Sequence, residues 1–192
     1  AFGSGHSYAA AIEMVERAGG LFASKVIRDP ALGIYESVEG VGSILMRKVE
    51  IRPEDVVVII SHSGRNPLGI EVAMAAKERG AKLLAITSVE ASRKLTSRHS
   101  SGKLLYELAD AILDTMVGDG DAAIHLDALP ENICPISSVA AACLIQATML
   151  RTTEKLISRG YQPDIRVSAN LDGGTEHNLA LQERYAHRIY RI

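Results

Sequence analysis

Val56-Val57-Val58-Ile59-Ile60-Ser61-His62-Ser63-Gly64-Arg65-Asn66-Pro67 decides how this chain folds. Five successive apolar, β-branched residues read as a strand buried on both faces, the kind found in parallel sheets with helices on either side. The run stops at Ser61. Asn66 is a good N-cap and Pro67 suits the first helical position, so a helix is expected from there to Gly80. The serine-rich turn between strand and helix has the makings of a phosphate cradle. Backbone N–H groups at a helix start, hydroxyls with freely turning hydrogens and a glycine that admits close approach all suit a phosphate dianion.

Working outward, Gly3-Ser4-Gly5-His6-Ser7 is a second turn of the same kind, with Ser7 capping a helix that is expected to run through Val15 and stop at Gly19-Gly20. Leu21 to Ile27 reads as a short strand and Ser37 to Lys48 as a helix, with Val38, Val41, Ile44 and Leu45 at helical spacing. Lys82 to Thr87 and Ala111 to Leu113 are further strands, with a short helix at Leu104 to Leu108 between them. Gly118-Asp119-Gly120-Asp121 is a loop, expected to be a turn near the site rather than a calcium loop, for which it is too short. Pro135-Ile136-Ser137-Ser138 opens the longest helix, Val139 to Ser158; Ile165 to Ala169 reads as a last strand and Glu176 to Tyr190 as a C-terminal helix. This alternation predicts an α/β fold, a mostly parallel sheet covered on both faces, with ligands at the carboxyl ends of its strands. The serine turns fall at those ends.

At 192 residues, 47% hydrophobic and 23% charged, the chain is expected to form one domain spanning 1–192. The formal net charge of −2, with no block of lysine or arginine, argues against nucleic acid as a partner. No apolar run approaches the roughly 18 residues of a membrane span, so no membrane partner and a cytoplasmic location are expected. Cys134 and Cys143 lack CxxC spacing and sit in or beside an apolar stretch, which predicts reduced, buried thiols. Ala1-Phe2 leaves almost nothing of the strand such a turn follows, so an N-terminal helix and most of a first strand are expected upstream.

The first turn is not GxGxxG: a serine stands where the third glycine would be, which favours a terminal phosphate over a pyrophosphate. Taken with Ser61-x-Ser63-Gly64-x-Asn66, it resembles the SIS family of sugar isomerase domains. Gly3-Ser4-Gly5-His6-Ser7-Tyr8 and Ser61-His62-Ser63-Gly64 are similar to the two glycine turns of the isomerase half of glucosamine-6-phosphate synthase. Ser97-Arg98-His99-Ser100-Ser101-Gly102-Lys103 and Asn170-Leu171-Asp172-Gly173-Gly174 look like a bacterial subgroup of stand-alone SIS proteins grouped as phosphosugar or phosphoheptose isomerases. The resemblance implies a three-layer sandwich around a five-stranded parallel sheet, a phosphorylated sugar as ligand, no cofactor, no metal, and a homodimer or homotetramer with sites at subunit boundaries. It implies phosphate binding by Ser7, Ser61, His62, Ser63, Gly64 and Asn66, with Gly5, His6, Arg98, Ser137 and Ser138 near the sugar. Arg65 stands where the synthase has a carboxylate, and either adds to the phosphate grip or lies in solvent.

Aldose–ketose isomerisation needs a base to move a proton between C2 and C1 and a donor to steady the enediolate. Glu13, two turns into the first helix, and Glu39, near the start of the second, are candidates; each can equally be a solvated helix glutamate. His99, among cationic and hydroxyl neighbours, and His177, at the start of the last helix, are the other two, against ordinary loop or cap roles. A non-catalytic phosphosugar sensor and a lyase similar to N-acetylmuramic acid 6-phosphate etherase are the alternatives to an isomerase.

Overall fold

The computed structural model describes residues 1–188. The apolar run forms strand β2 (Val56–Ile60), and the period of two along it builds the fold. Val57 and Ile59 pack on one side of the sheet with Met46, Leu68, Val72 and Leu105. Val58 and Ile60 point the other way, against Ala10, Ala11, Ala141 and Ile145. The first side is covered by α2 (Val41–Met46), α3 (Pro67–Glu78) and α5 (Leu105–Leu108), and the second by α1 (Ser7–Met14) and α6 (Ser137–Ser158). This is the three-layer α/β arrangement expected of the sequence.

The sheet has the order β1-β2-β3-β4, all parallel, with β1 (Phe2–Gly3), β3 (Lys82–Thr87) and β4 (Ala111–Asp114). Four strands replace the expected five. The fifth place is held by a single parallel bridge between Ile27 and Phe2, because the Leu21–Ile27 segment turns at Ser24 and sends Leu21 to an antiparallel bridge with Ile165 instead. Ile165–Ala169 makes no strand either: the Asn178 side chain accepts from the Val167 amide at 3.1 Å and donates to its carbonyl at 2.8 Å, taking the place of a neighbouring strand.

The helix expected from Ser37 shrinks to Val41–Met46 because Gly40 adopts φ 95°, outside the helical region. The missing cap is supplied from afar. Glu71 on α3 accepts from the amides of Gly40 at 2.5 Å and Ser43 at 3.0 Å. Two elements were not expected: α4 (Val89–Arg93) and an exposed antiparallel hairpin, β5 (Ala122–Ile124) with β6 (Ile133–Pro135). Cys134, in that hairpin, and Cys143 are free but exposed, not buried; the buried stripe of α6 is Ala141, Ile145 and Met149, and Cys143 lies off it. The last helix, α7, spans Gly174–Arg184, and the expected continuation to Ile189 and Tyr190 lies outside the described residues. Among the described residues no helix is long and apolar enough to cross a membrane.

The carboxyl end of β1 is packed directly on the start of α1, and a Cβ on Gly3 would stand 2.3 Å from the Ser7 carbonyl oxygen and 2.6 Å from its carbon. Both are backbone atoms fixed by the helix. Gly3→Ala is therefore expected to cost about 3 kcal/mol, the upper range of overpacking, read as a lowered urea midpoint; an unchanged midpoint would contradict this packing.

Candidate functional site

The second turn begins where the ladder ends. The Ser61 amide still donates to Ile86, after which the chain leaves the sheet and Gly64 takes φ 59°. Four successive carbonyls are then engaged from behind. His62 O accepts from the Ser88 amide and from Thr87 Oγ1, Ser63 O from Ser92 Oγ at 2.8 Å, Gly64 O from the Leu105 amide, and Arg65 O from the Arg98 amide. With the carbonyls held on the far side, this turn presents N–H groups and hydroxyls to the other side, an anion-binding concavity. The Gly64 amide donates to Ser61 Oγ at 3.2 Å, which leaves the Ser61 hydroxyl hydrogen free to donate to a ligand.

The first turn lies opposite and is clamped by a residue the sequence reading passed over. Asp29 is 4% exposed, yet its carboxylate accepts from Ser4 Oγ at 2.6 Å and from the amides of Ala31 and Gly33 at 3.0 and 2.8 Å. The clamp brings the loop so close that a Cβ on Gly33 would lie 2.9 Å from Gly5 Cα.

Between the turns is a cavity of roughly 360 Å³ at the carboxyl ends of the strands. Gly5, His6, Ser7, Ser61, His62, Ser63, Asn66 and Ser137 line it. Gly64 and Ser138 stand just behind, Gly64 buried towards Leu105 and Ser138 with its hydroxyl 3.4 Å from the His6 carbonyl. A larger cavity of about 520 Å³ opens at the other end of the strands, beside Met14, Val56 and Met149, with a mainly apolar lining. The smaller one has the chemistry of a binding site.

Among the described residues no lysine or arginine lines it. Arg98 reaches its edge, donating from Nη1 to Asn66 Oδ1 at 3.0 Å, whereas Arg65 turns away to the Thr96 carbonyl at 3.0 Å. Among the described residues two carboxylates line the cavity: Asp121, in the turn expected near the site, and Glu36, which was not singled out from sequence. Asp121 accepts from the amides of Ile136 and Ser137 at 3.1 and 2.6 Å and so caps α6. Glu36 has no hydrogen-bond or ion-pair partner for its carboxylate among the described residues, and its Oε2 lies beside Gly5.

The expected acid–base residues are placed differently. Glu13 faces α6, 2.9 Å from Gln146 Nε2 and 3.3 Å from Arg17, and does not line the cavity. His177 Nε2 is 3.0 Å from the Ile165 carbonyl, on the C-terminal segment. Glu39 and His99 are brought together. Glu39 accepts from the Ser100 amide at 2.9 Å and from the Ser100 hydroxyl, and these two bonds, helped by His99 and opposed by burial, hold its carboxyl below the usual range. The Ser101 amide donates to His99 Nδ1, which leaves the proton of the neutral ring on Nε2. That nitrogen stands 3.5 Å from Glu39 and 3.8 Å from a second carboxylate, Glu71, 5% exposed and unanticipated. Glu39, Glu71 and His99 adjoin the cavity through Arg98 and Asn66 but do not line it.

Residues 1–88 match the SIS domain. The UPF0309 protein lmo0025 of Listeria monocytogenes is 52% identical over 192 residues, covering 100% of this chain and 82% of the relative. The UPF0309 protein SCO4393 of Streptomyces coelicolor is 39% identical over 99% of this chain and 80% of its own length. Among solved structures, the hypothetical protein MJ1247 of Methanococcus jannaschii, inferred to be a 3-hexulose-6-phosphate isomerase, gives a TM-score of 0.44 at 16% identity, covering 81% of this chain and 68% of that one. The relatives, aligned over nearly the whole of this chain, settle its kinship: it is a member of the UPF0309 family, and its residues 1–88 match the SIS domain.

Proposed function

We propose that the protein binds a phosphorylated sugar in the 360 Å³ cavity and interconverts its aldose and ketose forms. The SIS domain supports a phosphosugar-related function at the coarser level. One observation carries the finer reading: a cradle of neutral donors shares its cavity with an unpartnered carboxylate, Glu36. The donors of the two turns hold the phosphate, which fixes the sugar's orientation. Glu36 then removes the proton from C2 and returns it to C1, the hydroxyl proton of O2 passes to O1, and hydroxyl and amide donors steady the enediolate oxygens meanwhile. Glu39, already saturated by Ser100 and held ionised, is a weak base for this task, and it positions the loop instead. A hexose, a heptose or an amino sugar would serve as the carbon skeleton.

The test is a thermal-shift panel of hexose, heptose and amino-sugar phosphates, each beside its unphosphorylated sugar, followed by NMR of the stabilising compounds in deuterated water. Stabilisation by phosphorylated members alone, with deuterium entering at C2 or C1, is the expected result. Stabilisation by a nucleotide and by no phosphosugar would overturn the reading.

A further inference from the structure

Behind the cradle lies a second, much smaller cavity, with about 10 Å³ open to the centre of a water molecule. It is enclosed by Ser7, His62, Thr115, Ser137 and Ser138 together with apolar residues of β2, β3 and α6. Among the described residues, the buried side-chain polar atoms without a partner are His62 Nδ1, His62 Nε2 and Thr115 Oγ1. Both residues line this one space. Unpaired buried polar atoms are rare and costly, and a polar cavity of this size holds one water with two to four bonding partners. We infer that a single tightly held water sits here, bonded to a His62 ring nitrogen and to Thr115 Oγ1, and that it aims the Ser7 and Ser137 hydroxyls at the ligand cavity.

The aiming follows from shared walls. Ser7, His62 and Ser137 line both the small cavity and the ligand cavity. A water that donates to a serine oxygen from behind occupies a lone pair, so the hydroxyl hydrogen turns to the opposite side, where an anion would accept it. Thr115 follows β4 and its amide donates to the Thr87 carbonyl at 3.0 Å, which fixes the backbone that carries its hydroxyl. Thr115 does not line the ligand cavity, and its effect on binding passes through the water alone.

The water site stands independently of the phosphosugar reading, whereas its orienting role rests on it. High-resolution crystal structures and inorganic phosphate titrations of wild type, Thr115→Val and Thr115→Ser separate the two. Expected are density for one water between Thr115 Oγ1 and the His62 ring, its loss in Thr115→Val, and a roughly three- to tenfold weaker phosphate affinity in that variant, restored in Thr115→Ser. A wild-type cavity without density there overturns the site. Water in place but unchanged affinity in Thr115→Val overturns the orienting role. Failure of wild type to bind phosphate would count against the phosphosugar reading, and the density would still decide the water site.

Discussion

Replacing Ser61 and Ser63 together by alanine is expected to weaken the binding of a phosphorylated sugar by roughly a hundredfold while the fold persists. A hydrogen bond to a charged group is worth about 1.5–3 kcal/mol, and two adjacent ones add less than fully, which sets the scale. Among the described residues no lysine or arginine lines the cavity to take over. The turn itself survives because its anchors are backbone groups: the Ser61 amide on Ile86 and the carbonyls of residues 62–65 on their donors remain in the double variant. One bond is lost internally, that from the Gly64 amide to Ser61 Oγ, and because Gly64 is buried its unpaired amide costs about 1–3 kcal/mol of stability. Calorimetric titration of the best ligand from the phosphosugar panel, beside urea unfolding of both proteins, separates the effects. Equal affinities would remove the cradle.

What the sequence revealed of this site follows from the range of the interactions involved. The β2 run, the serine turn and Pro67 are contiguous, and strand burial, turn and helix start are decided within a few residues. The same locality made Ser37–Lys48 look helical, since periodicity cannot see that Gly40 adopts φ 95° to meet Glu71, 31 residues away. Asp29, Glu71 and Asp121 are all carboxylates that hold backbone amides across loops, and nothing in their immediate neighbours distinguishes them from solvated acids. Glu36 was hidden for the same reason. In sequence it differs little from Glu39, three positions on; in the structure one carboxylate is bound by Ser100 and the other is free beside Gly5. His99 was noticed for its cationic neighbours, but its near neighbours prove to be the carboxylates of Glu39 and Glu71, brought there by tertiary packing.

That contrast between two glutamates makes the second large effect discriminating. Glu36→Gln is expected to lower turnover by about 10²–10⁴-fold, the usual contribution of a general base, while KM changes only a few-fold. Glutamine keeps the volume and a hydrogen-bonding oxygen but cannot accept a proton. Nothing in the fold depends on the charge, because no donor in the described structure bonds the Glu36 side chain; the residue's structural contacts run through its backbone, whose carbonyl accepts from Leu68. Glu13→Gln should leave turnover within a few-fold, since its partners are Gln146 on α6 and Arg17, away from the cavity. Glu39→Gln acts by a different route. It removes the charge and one of the two accepting oxygens that Ser100 uses, loosening the tie between the loop of residues 97–102 and the start of α2, so a rise in KM is expected rather than loss of chemistry alone. Deuterium exchange at C2 of the bound sugar distinguishes the roles most directly, because it reports proton removal even when the product is not released. Exchange at the wild-type rate in Glu36→Gln would move the base elsewhere, and the Glu39–His99 pair, one residue from Arg98 at the cavity edge, would be the next to test.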